Sequence, residues 1–303
     1  MENSPSSESE PRRHWIWRKI GMDLPADWEM LRFGTDEDEG SCGFADKTGF
    51  RFFIYWQRRK SPPNFAKDAR RFCKKHAAEG EIVEAPVPDW FGWEDTNEER
   101  TLRQFAKHFV GDGKGLVLTA VFRTPPGQTL PEKDILTSIK LYDDNAEGHT
   151  PWKIRDFTCL VPEGQPLHEG SFETGKTKLT FRANPKKEPV FTYQKWALVN
   201  EWMPARDLER WIKRQIPRSY KLTAIKRAEW QDHTYVSLTA SARHRWFPFR
   251  QNPRRYFEMV AWICPQDDCL YAASQRVLSP RNNWSQPREL PLACCPQGPQ
   301  LSF

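Results

Sequence analysis

Seven cysteines and seven histidines are the side chains with which this chain of 303 residues could bind a soft metal, attack an electrophile or move a proton. A nucleophile needs a base within hydrogen-bond reach, and a metal needs three or four donors that converge. The histidines stand at 14, 76, 108, 149, 168, 233 and 244 and form no H-E-x-x-H or H-x-E pattern. No G-x-S-x-G nucleophile elbow occurs. The stretch "GDGKG", Gly111 to Gly115, lacks the spacing of a phosphate loop and lies between two strand-like runs, so it reads as a hairpin turn. The acidic run "TDEDEG", Thr35 to Gly40, could hold a hard cation but lacks the EF-hand positions, and reads as a solvated strand connection. No catalytic motif emerges, so a non-enzymatic protein without a cofactor is expected.

The cysteines divide into two groups. Cys42, Cys73 and Cys159 stand apart from one another. Cys264 and Cys269 are spaced C-x4-C, and Cys294 and Cys295 are adjacent. Those four are the one zinc alternative, and neither pair has a good knuckle spacing. The preferred reading is reduced thiols in a cytosolic protein, with no metal and with Cys73 acting as a small core hydrophobe.

Recognition chemistry is better represented than catalysis. In "ARHRWFPFRQNPRRYF", Arg243, Arg245, Arg250, Arg254 and Arg255 interleave with Trp246, Phe247, Phe249 and Tyr256. Trp, Tyr and Arg dominate protein–protein hot spots, and cationic plus aromatic residues also make single-strand nucleic-acid sites. A hairpin loop whose aromatics fold back on a sheet is the structural alternative. A second aromatic stretch, "VPDWFGWED", holds Trp90, Phe91 and Trp93 and could form a lip over a partner or pack over a sheet edge.

The net charge of +6 comes from 46 basic and 40 acidic residues, an intermixed balance that does not favour a dedicated nucleic-acid binder. Aromatic content is 13%, enough to build cores although the hydrophobic total is only 38%. The first 13 residues, rich in Ser, Glu and Pro, read as a disordered tail without the apolar core of a secretory signal. No run approaches the 18 or so apolar residues of a membrane span, so a soluble cytoplasmic protein is expected.

Elements that would position these residues recur. "DARRFCKK", Asp68 to Lys75, lines up with "DLERWIKR", Asp207 to Arg214, each with proline upstream. On the first helix Phe65, Ala69, Phe72, Cys73 and His76 repeat at the period of one buried stripe, with Lys67, Arg70, Arg71, Lys74 and Lys75 mostly off it. On the second, Leu208, Trp211, Ile212 and Ile216 take the stripe. Hairpins flank both: "CGFADKTGFRFFIYWQ" and "GSFETGKTKLTFRAN" before, and "FAKHFVGDGKGLVLTAVF" and "RRYFEMVAWI" with "CLYAASQRVL" after.

Strands, one main helix and further strands predict an α+β fold of two similar domains, each an antiparallel sheet with one main helix packed on a face. The expected division is a tail at 1–13, a first domain at 14–145, a linker at 146–151, a second domain at 152–293 and a tail at 294–303. The order resembles the PsbP-like (DcrB-like) fold. "LPADW", "FAKDARRFCKKH", "FAKHFVGDGKGLVLTAVF" and "EKDILTSIKLY" carry the resemblance over residues 14–145. The second copy, about 150–293, matches more loosely, its "VPEGQ" lacking the Trp. The resemblance implies a compact binding or accessory scaffold. The expected function is therefore the binding of a protein partner through the aromatic and Arg-rich loops. Single-stranded nucleic acid bound at 243–256, and a small molecule or substrate bound in a pocket between domains, are the alternatives.

Overall fold

The computed structural model describes residues 11–76, 80–110, 115–184, 189–205, 207–230, 232–242, 255–278 and 290–295, with the side chains of 72–76 outside that description. The chain divides into two compact units, one of residues 1–15 with 20–141 and the other of 16–19 with 142–303. The elements of the first half are β1 (Arg12–Trp17), β2 (Ile20–Pro25), β3 (Glu29–Phe33), β4 (Glu39–Ala45), β5 (Phe50–Arg59), α1 (Phe65–His76), β6 (Glu81–Val83), β7 (Phe91–Thr96), β8 (Thr101–Phe109), β9 (Gly115–Thr124), α2 (Glu132–Ser138) and β10 (Lys140–Leu141). The second half adds β11 (His149–Ile154), β12 (Phe157–Pro162), β13 (Leu167–Glu173), β14 (Lys176–Phe181), β15 (Val190–Trp196), α3 (Val199–Trp202), α4 (Leu208–Arg214), β16 (Tyr220–Trp230), β17 (His233–Ala242), β18 (Tyr256–Cys264), β19 (Cys269–Val277) and β20 (Leu292–Ala293).

Each unit is built on a seven-stranded antiparallel sheet, in the order β3-β4-β5-β9-β8-β7-β6 in the first and β13-β14-β15-β19-β18-β17-β16 in the second. Counted from its own first strand, the order is the same in both. Smaller pairings accompany them: β10 with β2 in the first unit, and β11 with β12 and β12 with β20 in the second, where Ile16 also pairs with Lys153.

The expected α+β class is corrected. The protein is predominantly antiparallel β, with four helices beside twenty strands among the described residues. Two of the helices, α2 and α4, span 7 residues each and α3 spans 4. Helices this short have little independent stability and cannot cover a sheet of seven strands. The sheets cover themselves instead with aromatic and β-branched side chains, the residue types that suit a pleated surface. In the first unit Phe44, Phe52, Phe105 and Phe122 are fully buried on one face, with Phe52 and Phe122 ring centroids 5.0 Å apart.

Local signals seat the strands. Between β4 and β5, Asp46 accepts hydrogen bonds from Thr48 N at 2.7 Å, Gly49 N at 3.0 Å and Arg51 Nε at 2.6 Å. Burial alone would raise the Asp46 pKa, but the Arg51 bond and those from Thr48 and Gly49 outweigh it and hold the carboxyl at about 2. In the second unit, buried Lys195 on β15 reaches Asp156 at 2.5 Å and Asp267 at 3.2 Å.

Candidate functional site

Among the described residues, functional side chains come together at two places, one in each unit. The first is a cleft of about 470 Å³ between α1 and its sheet. Antiparallel register builds its floor. Ser41 is paired with Tyr55, Tyr55 with Thr119, Thr119 with Ala106, and Ala106 with Phe91, so one row crosses β4, β5, β9, β8 and β7. Directly paired residues project to the same face, so the whole row faces the helix. Val117, Gln57 and Glu39 form the next row, and Gln104 and Trp93 another.

The roof is the start of α1. Asn64 caps it, its side-chain oxygen accepting from Lys67 N at 3.0 Å. Phe65 then stacks on Phe91, with centroids 5.9 Å apart and planes 18° from parallel. Phe65 and Ala69 are only half-buried, because they line the cleft instead of filling it. The expected fully buried stripe of α1 is thus open at these two positions, and the side chains of Phe72, Cys73 and His76 lie outside the described residues.

Polar groups are tied along one wall. Gln57 Nε2 donates to Glu39 Oε2 at 3.2 Å, Arg59 Nε donates to Gln57 Oε1 at 2.7 Å, and Arg59 lies 3.5 Å from Asp68. Among the described residues, the lining contains neither a histidine nor a cysteine. Apolar and aromatic walls with a few fixed polar groups are the usual make-up of a binding cleft.

The second place is a thiol–imidazole cluster. His233 opens β17 and Cys264 closes β18. Each lies two residues beyond the paired Tyr235 and Trp262, so the strand alternation puts both on the face those two rings occupy. Cys294 and Cys295 follow β20, whose Leu292 pairs with Cys159 of β12. His233 Nε2 is 3.4 Å from Cys294 Sγ and 3.5 Å from Cys295 Sγ, and the two sulfurs are 3.8 Å apart. With Cys264 Sγ, all four donor atoms lie within 4.8 Å of one another. His233 and Cys264 are buried.

Burial pushes the Cys294 thiol well up, and neighbouring Cys264 and Cys295 push it further. Burial likewise raises Cys264, to about 11. The buried Tyr235 hydroxyl is raised first by burial and then by Cys294, Cys295 and Cys264, and no group among the described residues satisfies it.

The sequence candidates fall in different places. Phe91 and Trp93 line the cleft, whereas Trp90 is buried edge-on against Phe109 at 6.4 Å. Arg243, Arg245, Trp246, Phe247, Phe249, Arg250 and Arg254 lie outside the described residues. Arg255 is exposed, and its carbonyl accepts from Ala242 N at 2.8 Å. Cys269 is not part of the cluster: its Sγ lies 3.2 Å from the Asp267 carbonyl oxygen. Sequence reasoning missed Tyr55, Gln57, Gln104, Thr119 and His233. The signal for the first four is polar residues alternating on strands otherwise rich in Phe, Val and Leu. For His233 it is the two-residue spacing from Tyr235 on one strand face.

No protein-family model matches the chain, and comparison with curated proteins finds no match. Among solved structures, the chain is similar to the apo form of the immunity protein TplEi of the T6SS from Pseudomonas aeruginosa, at 8% identity over 91% of this chain and 90% of that one, with a TM-score of 0.34. It is similar to the same protein complexed with "L" peptide at 9% identity over 91% and 90%, with a TM-score of 0.32. A third is the Tle4–Tli4 complex, at 10% identity over 91% and 89%, with a TM-score of 0.31. At TM-scores this low the likeness decides neither fold nor partner. Among the described residues, no helix is long and apolar enough to cross a membrane.

Proposed function

We propose that this is a non-catalytic binding protein whose first unit receives an apolar or aromatic segment of a protein partner in the cleft beneath α1. The observation that carries the reading is the cleft itself, about 470 Å³ walled by Tyr55, Trp56, Phe65, Phe91 and Trp93. Tyr55 is 43% exposed although it lies in the middle of the sheet, which leaves its ring available to a partner. Gln57, Gln104, Ser41 and Thr119 supply hydrogen bonds that would orient a bound backbone.

The test is to fill the cleft without disturbing the core. The intact chain and its Ala69→Leu and Ala106→Trp variants are used as bait in the native host, with circular dichroism confirming that each is folded. A partner that binds this cleft is lost from both variants. A partner recovered equally by all three binds elsewhere and removes the cleft from the reading. Native mass spectrometry that finds a small molecule on the purified chain, displaced in both variants, would replace the protein partner with a small-molecule ligand.

A further inference from the structure

We propose that His233, Cys264, Cys294 and Cys295 form a structural Zn²⁺ site that fastens the segment after β20 to the β17–β18 end of the second sheet. Three of the donor spacings match the edges of a metal tetrahedron. With Zn–S of about 2.3 Å and Zn–N of about 2.0–2.1 Å, a tetrahedral site has S···S edges of about 3.8 Å and S···N edges of about 3.5 Å. The sulfurs of Cys294 and Cys295 are 3.8 Å apart, and His233 Nε2 lies 3.4 Å and 3.5 Å from them. Cys264 Sγ supplies the fourth corner within 4.8 Å of the others. The same 3.8 Å is far longer than a disulfide bond of about 2.05 Å, so these two sulfurs are arranged as separate donors.

The donor set selects the metal. Three thiolates and an imidazole in a tetrahedron suit zinc. Four protein ligands close the coordination shell and leave no position for substrate, which makes the site structural. The Tyr235 hydroxyl is buried in the same corner and has no hydrogen-bond partner among the described residues. A bound dication would hold the three cysteines as thiolates, with the displaced protons released to solvent.

The site also explains how a two-residue strand is held. β20 contributes only Leu292 and Ala293 to its pairing with β12. Ligands at the next two positions tie that strand to β17 and β18, which belong to the other sheet of the same unit.

The intact chain, purified under reducing conditions without chelator, is analysed by elemental mass spectrometry. It is then stripped and titrated with Co²⁺, whose visible bands report tetrahedral geometry and whose near-ultraviolet charge-transfer band reports thiolate ligation. About one zinc per chain, and tetrahedral thiolate Co²⁺ spectra, are expected. Cys294→Ser and His233→Ala should weaken Zn²⁺ binding by about tenfold or more, while Cys269→Ser should retain it. His233→Cys rebuilds four ligands, so it should bind and shift the Co²⁺ bands, which separates loss of a ligand from loss of the fold. Absence of zinc together with no tetrahedral Co²⁺ spectrum in the reduced chain overturns the proposal. So does metal retained by His233→Ala but lost in Cys269→Ser, or a disulfide between any two of the three site cysteines in the chain as purified.

Discussion

The two helices that follow the third strand of each large sheet begin from related sequences and end in different surroundings. Helix α4 is seated: Leu208 and Ile212 are buried against Val236, Leu238, Met259, Ala261 and Ala272. Helix α1 stands over a cleft, with Phe65 and Ala69 at its rim. When "DARRFCKK" is laid over "DLERWIKR", Ala69 occupies the position of Leu208. The first unit thus lacks three heavy atoms where the second has a core side chain. The sheets differ in the same sense. Beneath α4 the strands present aliphatic residues, while beneath α1 they present Ser41, Gln57, Gln104 and Thr119. A helix stripe gains stability only when the opposite face offers apolar surface to interdigitate with it. The period of a helix therefore says which side faces the sheet, but not whether the gap closes.

Substitutions can break this comparison. The largest effect should come from Leu208→Ala, which should lower stability by about 2–4 kcal/mol in chemical denaturation because it opens a cavity in a closed core. A loss below about 1 kcal/mol would mean that α4 is no better packed than α1. Next is Asp46→Asn, in the turn between β4 and β5. The Asp46 pKa is depressed from 3.8 to about 2 in the folded protein. Its contribution is therefore present above pH 4 or so and disappears as pH falls through about 2. Discounted for solvent screening, the substitution should cost about 1 kcal/mol at pH 7, and the difference from the unaltered chain should shrink across that acid window. A pH-independent difference would assign the cost to geometry instead of charge.

The reciprocal change Ala69→Leu should shift stability by no more than about 0.5 kcal/mol, because it enters open space. A loss of about 1–3 kcal/mol, the signature of overpacking, would show the cleft to be closed in solution. The smallest effect belongs to Asp68→Asn. It removes an exposed ion pair with Arg59 at 3.5 Å and should change stability by less than about 0.5 kcal/mol.

The hairpins are local and can be read from the chain. The β4–β5 hairpin has Asp46 and Gly49 at its turn, and β18 and β19 flank "CPQDD", because turn residues and period-two alternation act over a few positions. The balance of helix and sheet could not be read this way. Short helices carry strong patterns, whereas whether they cover a sheet depends on residues far along the chain. The cleft floor is likewise a product of register across five strands, and Tyr55 has no local mark that sets it apart from Phe53. The thiol cluster was half visible. Cys264, Cys294 and Cys295 are visible by residue type, but counting cysteines alone makes Cys269 their fourth member. Its sulfur lies against the Asp267 carbonyl, and His233 takes the fourth place through the alternation of β17.

The open helix and the seated helix are separated most directly by amide hydrogen exchange on the intact chain. The amides of α1 around Ala69 should exchange on the order of 100-fold faster than those of α4 around Ile212, because Phe65 and Ala69, its described stripe residues, line a cleft while Leu208 and Ile212 are buried. Equal protection in the two helices would contradict the account, since it would place both in closed cores and remove the cleft on which the binding reading rests.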